Sequence, residues 1–132
     1  MRTPKKKKRK RGRYHRGIHT SPLAGECNFR SGWEQKYMLY LDADPEVESW
    51  AYENLTIEYI SNKSTGKVRK YFPDFFVRMK SGQNYVIEIK QKRKLESAVV
   101  KKKSEAAERW CASNNATYKI LTEIELRQLG II

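Results

Sequence analysis

Two short stretches set an acid, a second acid and a lysine at hairpin spacing. The first is Tyr71-Phe72-Pro73-Asp74-Phe75-Phe76-Val77. The second, after a Lys80-Ser81-Gly82-Gln83 turn, is Tyr85-Val86-Ile87-Glu88-Ile89-Lys90. Both are rich in the aromatic and β-branched residues that favour strands, and the segment between them is polar with a glycine. Side chains alternate along a strand, so Glu88 and Lys90 share one face while Ile87 and Ile89 share the other. A three-residue loop at Ser81–Gln83 places Asp74 opposite Lys90 and Phe76 opposite Glu88, with the three polar groups in diagonal reach. A two-residue loop sends Asp74 to the other face, unless a bulge near Pro73 restores it.

These residue types suit one kind of catalysis. Mg²⁺ prefers hard oxygen donors in octahedral array and binds through one or two carboxylates plus water and substrate phosphate. Asp74 and Glu88 supply the carboxylates, and the backbone carbonyl of Ile89 adds a neutral donor. A metal so held polarises a phosphodiester and lowers the pKa of its water. Lys90, a compact positive charge, orients that water or offsets charge growing on the phosphoryl oxygens. The expected cofactor is Mg²⁺, with Mn²⁺ able to replace it. Each half alone says little, because proline before aspartate marks ordinary turns and Glu-x-Lys recurs on strands by chance.

Joined at this spacing, Pro73-Asp74 and Glu88-Ile89-Lys90 resemble the PD-(D/E)XK nuclease signature. Upstream, Phe29-Arg30-Ser31-Gly32-Trp33-Glu34 is similar to the helix start of three related groups. These are the phage endonuclease I that resolves branched DNA, the endonuclease subunit of heteromeric transposases, and the phage head-completion nucleases. The run from Ser31 through Leu41-Asp42, Pro45, Val47, Trp50, Glu53, Ile57 and Tyr59 to Lys90 resembles the last two most. The resemblance covers residues 29–91 and implies that Glu34, Asp74, Glu88 and Lys90 are catalytic. It implies further that Glu34 joins Asp74, Glu88 and Ile89 around the metal. The implied activity is a metal-dependent DNA endonuclease, phage-encoded, processing DNA ends or branches during packaging or recombination. Its implied partners are DNA, duplex or branched, and a second copy or a virion or transposition protein. No strand like the one that bridges the domain-swapped resolvase-type members is evident. Ser31-Gly32-Trp33-Glu34 is also a capping box, in which Glu34 need only serve the helix start.

A reading from a different class is a non-catalytic DNA-binding head-completion protein on the same scaffold, with salt-sensitive binding and no turnover. Retention of two like charges beside a lysine argues against it. A restriction-type enzyme comes last, because no set of base-reading residues stands out.

Charge points the same way. Of the 28 Lys and Arg residues, ten lie in residues 1–16 with no acid among them, leaving 18 against 15 acidic residues in the remainder. The domain is nearly balanced and its N-terminal arm is a polycation. Lys5, Lys6, Lys7, Lys8, Arg9, Lys10, Arg11 and Arg13 suit the phosphate backbone of DNA, which is bound without regard to sequence and sensitively to salt. Such a block is expected to be flexible in isolation. Lys92 and Arg93 come just after the site and are placed to touch the phosphates of the scissile strand. Two distant cysteines, Cys27 and Cys111, make no disulfide framework and fit a reducing compartment. No stretch approaches the ~20 apolar residues of a membrane span. A soluble intracellular protein is expected, host-cytoplasmic or virion-associated, with no membrane partner.

The elements that must position these residues are legible in outline. Residues 1–25 read as a basic arm and 26–132 as the nuclease domain, with Gly12 to Gly25 lacking any clear period. A helix is predicted from Ser31 to Asp44-Pro45, with Trp33, Tyr37 and Leu41 on one face. Val47–Tyr52 and Leu55–Ile60 read as extended, followed by the hairpin Lys67–Lys80 with Asn84–Gln91. A helix over Leu95–Ala112 carries Leu95, Val99, Ala106 and Trp110 as its apolar stripe. Thr117–Leu121 is a last strand, and Thr122 caps a short final helix. The expected fold class is α/β, a restriction-endonuclease-like mixed sheet flanked by helices. Trp33, Trp50 and Trp110 are expected in the core, and His15 with His19 is too weak a pair to indicate zinc.

Overall fold

The computed structural model describes residues 16–132. The basic residues Lys5 to Arg13, and His15, lie outside that range. In chain order the elements are β1 (Gly17–Ser21), β2 (Gly25–Phe29), α1 (Gly32–Ala43), β3 (Val47–Tyr52), β4 (Ile57–Asn62), β5 (Lys67–Tyr71), β6 (Phe75–Met79), β7 (Asn84–Ile89), α2 (Ala98–Ser113), β8 (Thr117–Leu121) and α3 (Glu123–Gln128). A four-stranded sheet runs β3-β6-β7-β8. Its first three strands are antiparallel, and β8 lies parallel to β7. A parallel neighbour needs a long crossover, and α2 supplies it. The sheet is mixed and flanked by helices, as expected.

The hairpin forms with one displacement. Met79 N–H donates to the Gln83 carbonyl at 2.8 Å, so the three-residue loop is residues 80–82 and not 81–83. Gly82 takes φ 96° there, a conformation that side chains resist. Phe75 consequently pairs with Ile87 and Phe76 with Val86. Continued outward, this register sets Asp74 opposite Glu88 and not Lys90. The slip is two residues, so side-chain parity is unchanged and the polar groups keep a common face.

The segment predicted as one strand, Lys67–Lys80, is two. It breaks at Phe72-Pro73-Asp74 because proline donates no ladder hydrogen bond and fixes its own φ. β5 leaves the central sheet and pairs with β4 in a separate ribbon.

Alternation along β6 and β7 gives the sheet two apolar faces. On one, Trp50, Phe75, Val77, Ile87 and Leu121 pack with Tyr37, Met38 and Leu41 of α1 and Leu126 of α3. On the other, Val86 and Tyr118 pack with Ile57, Tyr59 and Tyr71 of the ribbon and with Ala106, Ala107 and Cys111 of α2. The α2 stripe thus differs from the expected one: Leu95 precedes the helix, Val99 is half exposed, and small residues at 106 and 107 allow close approach. Cys27 and Cys111 are free and buried. Trp50 is core, whereas Trp33 and Trp110 are only partly buried.

Residues 17–25, expected as arm or loop, form with residues 26–29 the antiparallel β1–β2 hairpin against α1. Asp42 pins it: its carboxylate accepts from Ser21 Oγ at 2.6 Å and Trp50 Nε1 at 2.9 Å, with His19 Nε2 at 2.7 Å. Polar residues at strand positions hid this hairpin, since their partners are far along the chain. Among the described residues no helix is long and apolar enough to cross a membrane.

Candidate active site

The break at Pro73 turns Asp74 toward the start of the β6–β7 pair, where it is buried with only 8% exposure. Its carboxylate accepts the Ile89 N–H at 2.8 Å. Glu88 reaches the same place from the end of β7. It accepts from the Asp74 N–H at 3.3 Å and from the Tyr71 hydroxyl at 2.8 Å. The two carboxylates are therefore cross-braced through each other's backbone. Lys90, two residues on from Glu88 and on the same face, puts Nζ 3.8 Å from Glu88 Oε2. Its own N–H is fixed to the Leu121 carbonyl at 3.1 Å.

Glu34 arrives from the first turn of α1. Ser31 Oγ caps that helix by accepting the Glu34 N–H at 3.2 Å. The Glu34 carboxylate does not return the bond to Ser31 as a capping box would. It accepts instead from the Arg30 N–H at 2.8 Å and the Tyr52 hydroxyl at 2.7 Å. A cleft of about 600 Å³ brings Glu34, Asp74, Glu88, Ile89 and Lys90 together. Lys92 and Arg93 are not among its lining residues; they occupy exposed positions on a one-turn 3-10 helix beyond it.

Electrostatics show what the arrangement costs. Burial, then the Glu88 and Glu34 charges, hold the Asp74 carboxyl well above the usual range, against the Ile89 N–H that favours ionisation. Burial also raises Glu88, which Tyr71 and Lys90 pull back. Like charges in a poorly solvated site disfavour joint ionisation, and a nearby cation reverses that. Burial and then Glu88 push the Tyr71 hydroxyl far above its ordinary value, so it remains a neutral donor. Tyr118 bonds Tyr71 at 2.9 Å and is itself pushed up to about 12 by burial.

Several residues of the cleft have roles there that a reading of the sequence does not assign. Arg30, Lys70 and Lys103 bring positive charge to it, and Tyr71 braces Glu88. Glu53 sits at φ 50°, with its N–H on the Asp74 carbonyl at 2.9 Å and its carboxylate on Arg30 at 2.9 Å. A non-glycine residue in that region costs about 1–3 kcal/mol and persists where neighbours fix it. Nothing local in Tyr52-Glu53-Asn54 marks it.

The motif segments can be set beside known proteins. Residues 44–123 match the family described as TnsA-like endonuclease N terminal. The chain belongs to the TnsA-like endonuclease family. The match takes in Asp74, Glu88 and Lys90 and is of the PD-(D/E)XK kind that these residues resemble. The chain is also similar to the head completion nuclease of Enterobacteria phage T4, 33% identical over 127 residues, covering 80% of this chain and 84% of that protein.

The donor set of this TnsA-like endonuclease fits a hard divalent cation. Among the described residues there is no preassembled cluster of three or more His, Cys, Asp or Glu ligands. Mg²⁺ does not need one, because it binds through one or two carboxylates and completes its shell with water and phosphate. Two braced carboxylates and the lining residue Ile89 meet that description.

Proposed function

We propose that this chain is a metal-dependent DNA endonuclease that processes DNA ends or branches during phage DNA packaging or recombination. The observation that carries the reading is the convergence of Asp74, Glu88 and Lys90 from a broken strand and its hairpin partner, with Glu34 entering from α1. Asp74, Glu88 and the Ile89 carbonyl would hold Mg²⁺, or Mn²⁺ in its place, with Glu34 beside them. When bound, the cation supplies Lewis-acid polarisation of the phosphodiester and activation of water.

The protein's own groups do the rest. The Ile89 and Asp74 N–H groups and the Tyr71 hydroxyl hold both carboxylates in place before substrate arrives, so little reorganisation remains at the reaction step. Glu34, fixed by Tyr52 and the Arg30 N–H, stands ready to accept a proton from the attacking water. Lys90 offsets charge on the phosphoryl oxygens, and Lys70, Lys103 and Arg30 draw the DNA backbone toward the cleft. The basic residues 5–13 would hold the DNA through phosphates, which position without specifying sequence.

The test is cleavage of supercoiled plasmid and of a synthetic four-way junction with Mg²⁺, Mn²⁺ or EDTA, beside Asp74→Asn. Cutting with either metal, abolished by EDTA and by the substitution, is the expected result. Tight DNA binding without cutting under any condition would transfer the weight to a non-catalytic assembly protein.

A further inference from the structure

A second pocket, of about 500 Å³, opens beside the catalytic cleft. Arg30, Glu34, Ile89 and Lys90 line both, so the two adjoin. Their chemistry differs. The cleft sets four acids among its cations, whereas the pocket has Glu34 alone against Arg16, Arg30, Lys90 and Lys94. Trp33 also lines the pocket; part of its surface packs on the core and the rest is presented to the opening. Gln91 lines it too, and its Oε1 is buried without a hydrogen-bond partner among the described residues. A buried acceptor left unpaired is costly until something donates to it.

Guanidinium groups match phosphate oxygens, an indole face matches a nucleobase, and a buried carbonyl oxygen matches an exocyclic amino group. Only one kind of ligand presents all three together beside a scissile phosphate. A base kept in the duplex stack has no face free for Trp33; a base taken out of the stack does. Resting on the endonuclease reading above, we propose that this pocket receives one nucleotide splayed out of the stack next to the scissile phosphate. Its base lies on Trp33 and donates to Gln91 Oε1, while its phosphate meets Arg16, Arg30 and Lys94. The enzyme would then select DNA by an unpaired nucleotide at the cut. That nucleotide is either internal, at a branch or bulge, or terminal, at a frayed end.

The probe is 5-iododeoxycytidine, which carries an exocyclic amino group and photocrosslinks to aromatic side chains it stacks against. It is placed at an unpaired internal position, at a frayed end, or within fully paired duplex, and mixed with the full chain in EDTA. Mass spectrometry then locates the adduct. The expected adduct is on Trp33, at least about tenfold stronger from an unpaired nucleotide than from paired duplex. The internal and terminal probes show which source fills the pocket.

Two variants guard the interpretation. A Cβ at Gly32 meets nothing within 4 Å, so Gly32→Leu plugs the opening. Gln91→Leu removes the unpaired acceptor at similar volume. Each is expected to keep the wild-type thermal midpoint or raise it, and to cut the crosslink about tenfold. Equal crosslinking of paired and unpaired DNA, an adduct elsewhere, no adduct with any DNA, or indifference of a folded variant overturns the proposal. Metal-dependent cleavage of the four-way junction and of the plasmid, measured on the same protein, separates the two readings. Cleavage without the Trp33 adduct sinks the pocket alone, and the adduct without cleavage sinks the nuclease reading alone.

Discussion

Lys90 stands 3.8 Å from Glu88, near enough to feel that carboxylate but too far to be consumed by it. A lysine held so loosely remains available to a phosphate. Lys90→Ala should therefore lower single-turnover cleavage by about 10²–10³-fold, the usual scale for losing one charge-stabilising group. DNA affinity, read by filter binding, should change little; undiminished cleavage would remove Lys90 from the mechanism. Tyr71 acts one step back. Tyr71→Phe deletes the donor to Glu88 and leaves Tyr118 without that partner, which should cost about 1 kcal/mol in urea unfolding. The Mg²⁺ concentration for half-maximal cleavage should rise about tenfold or more, as when an outer hydrogen bond to a metal-binding carboxylate is lost. A fall in stability with an unchanged Mg²⁺ requirement would make Tyr71 purely structural.

The elements reach the site because they are pinned elsewhere. α1 delivers Glu34 only if its start is fixed, and Ser31→Ala should cost about 1 kcal/mol and blunt cleavage through misplacement of Glu34. Further along the same helix, Asp42 ties the β1–β2 hairpin and Trp50 to α1. Burial alone would raise the Asp42 carboxyl, but hydrogen bonds from Ser21, Trp50 and His19 outweigh it and hold the group below its ordinary value. A depressed acid contributes stability that is complete above its unfolded value of about 3.9 and is lost as pH falls through the lower folded value. Urea midpoints of wild type and Asp42→Asn should accordingly differ most above the ordinary carboxylate range and draw together as the pH falls below it. A gap that widens on acidification would contradict the sign argued here. Gly17 is the other anchor: a Cβ there would come within 2.5 Å of the buried Phe29 ring, so Gly17→Ala should destabilise by about 1–3 kcal/mol.

At the scale of the molecule, one sheet separates two cores, and the candidate site lies where the chain passes from the β4–β5 ribbon into that sheet. The charge is divided as well, with ten basic residues in positions 1–16 and a nearly balanced remainder. If the arm binds phosphates, replacing Lys5, Lys6, Lys7 and Lys8 by Gln should flatten the salt dependence of duplex binding. The slope of log K against log salt should drop by about 0.9 for each phosphate no longer neutralised. Cleavage at saturating DNA should be untouched. An unchanged slope would mean that the cleft, with Lys70, Lys90 and Lys103, carries the electrostatics.

The family was legible in the sequence because local constraints carry it. Pro73 must break a strand, Ser31 must cap a helix, and strand parity alone places Glu88 and Lys90 on one face. Element types and the mixed sheet followed from the same short-range rules. Register did not: Lys80–Gly82 and Ser81–Gln83 are equally good loops until Met79 meets Gln83, so the residue opposite Asp74 was undetermined. Nor could the β1–β2 hairpin be seen, since His19 and Ser21 are polar until Asp42, more than 20 residues away, accepts their bonds. Arg30, Glu53, Tyr71 and Lys103 reach the cleft from separate parts of the chain, each ordinary in its own neighbourhood. Sequence set the residues of the site, while packing across two sheet faces chose their partners, because hydrogen bonds and ion pairs between distant segments exist only once the chain has closed.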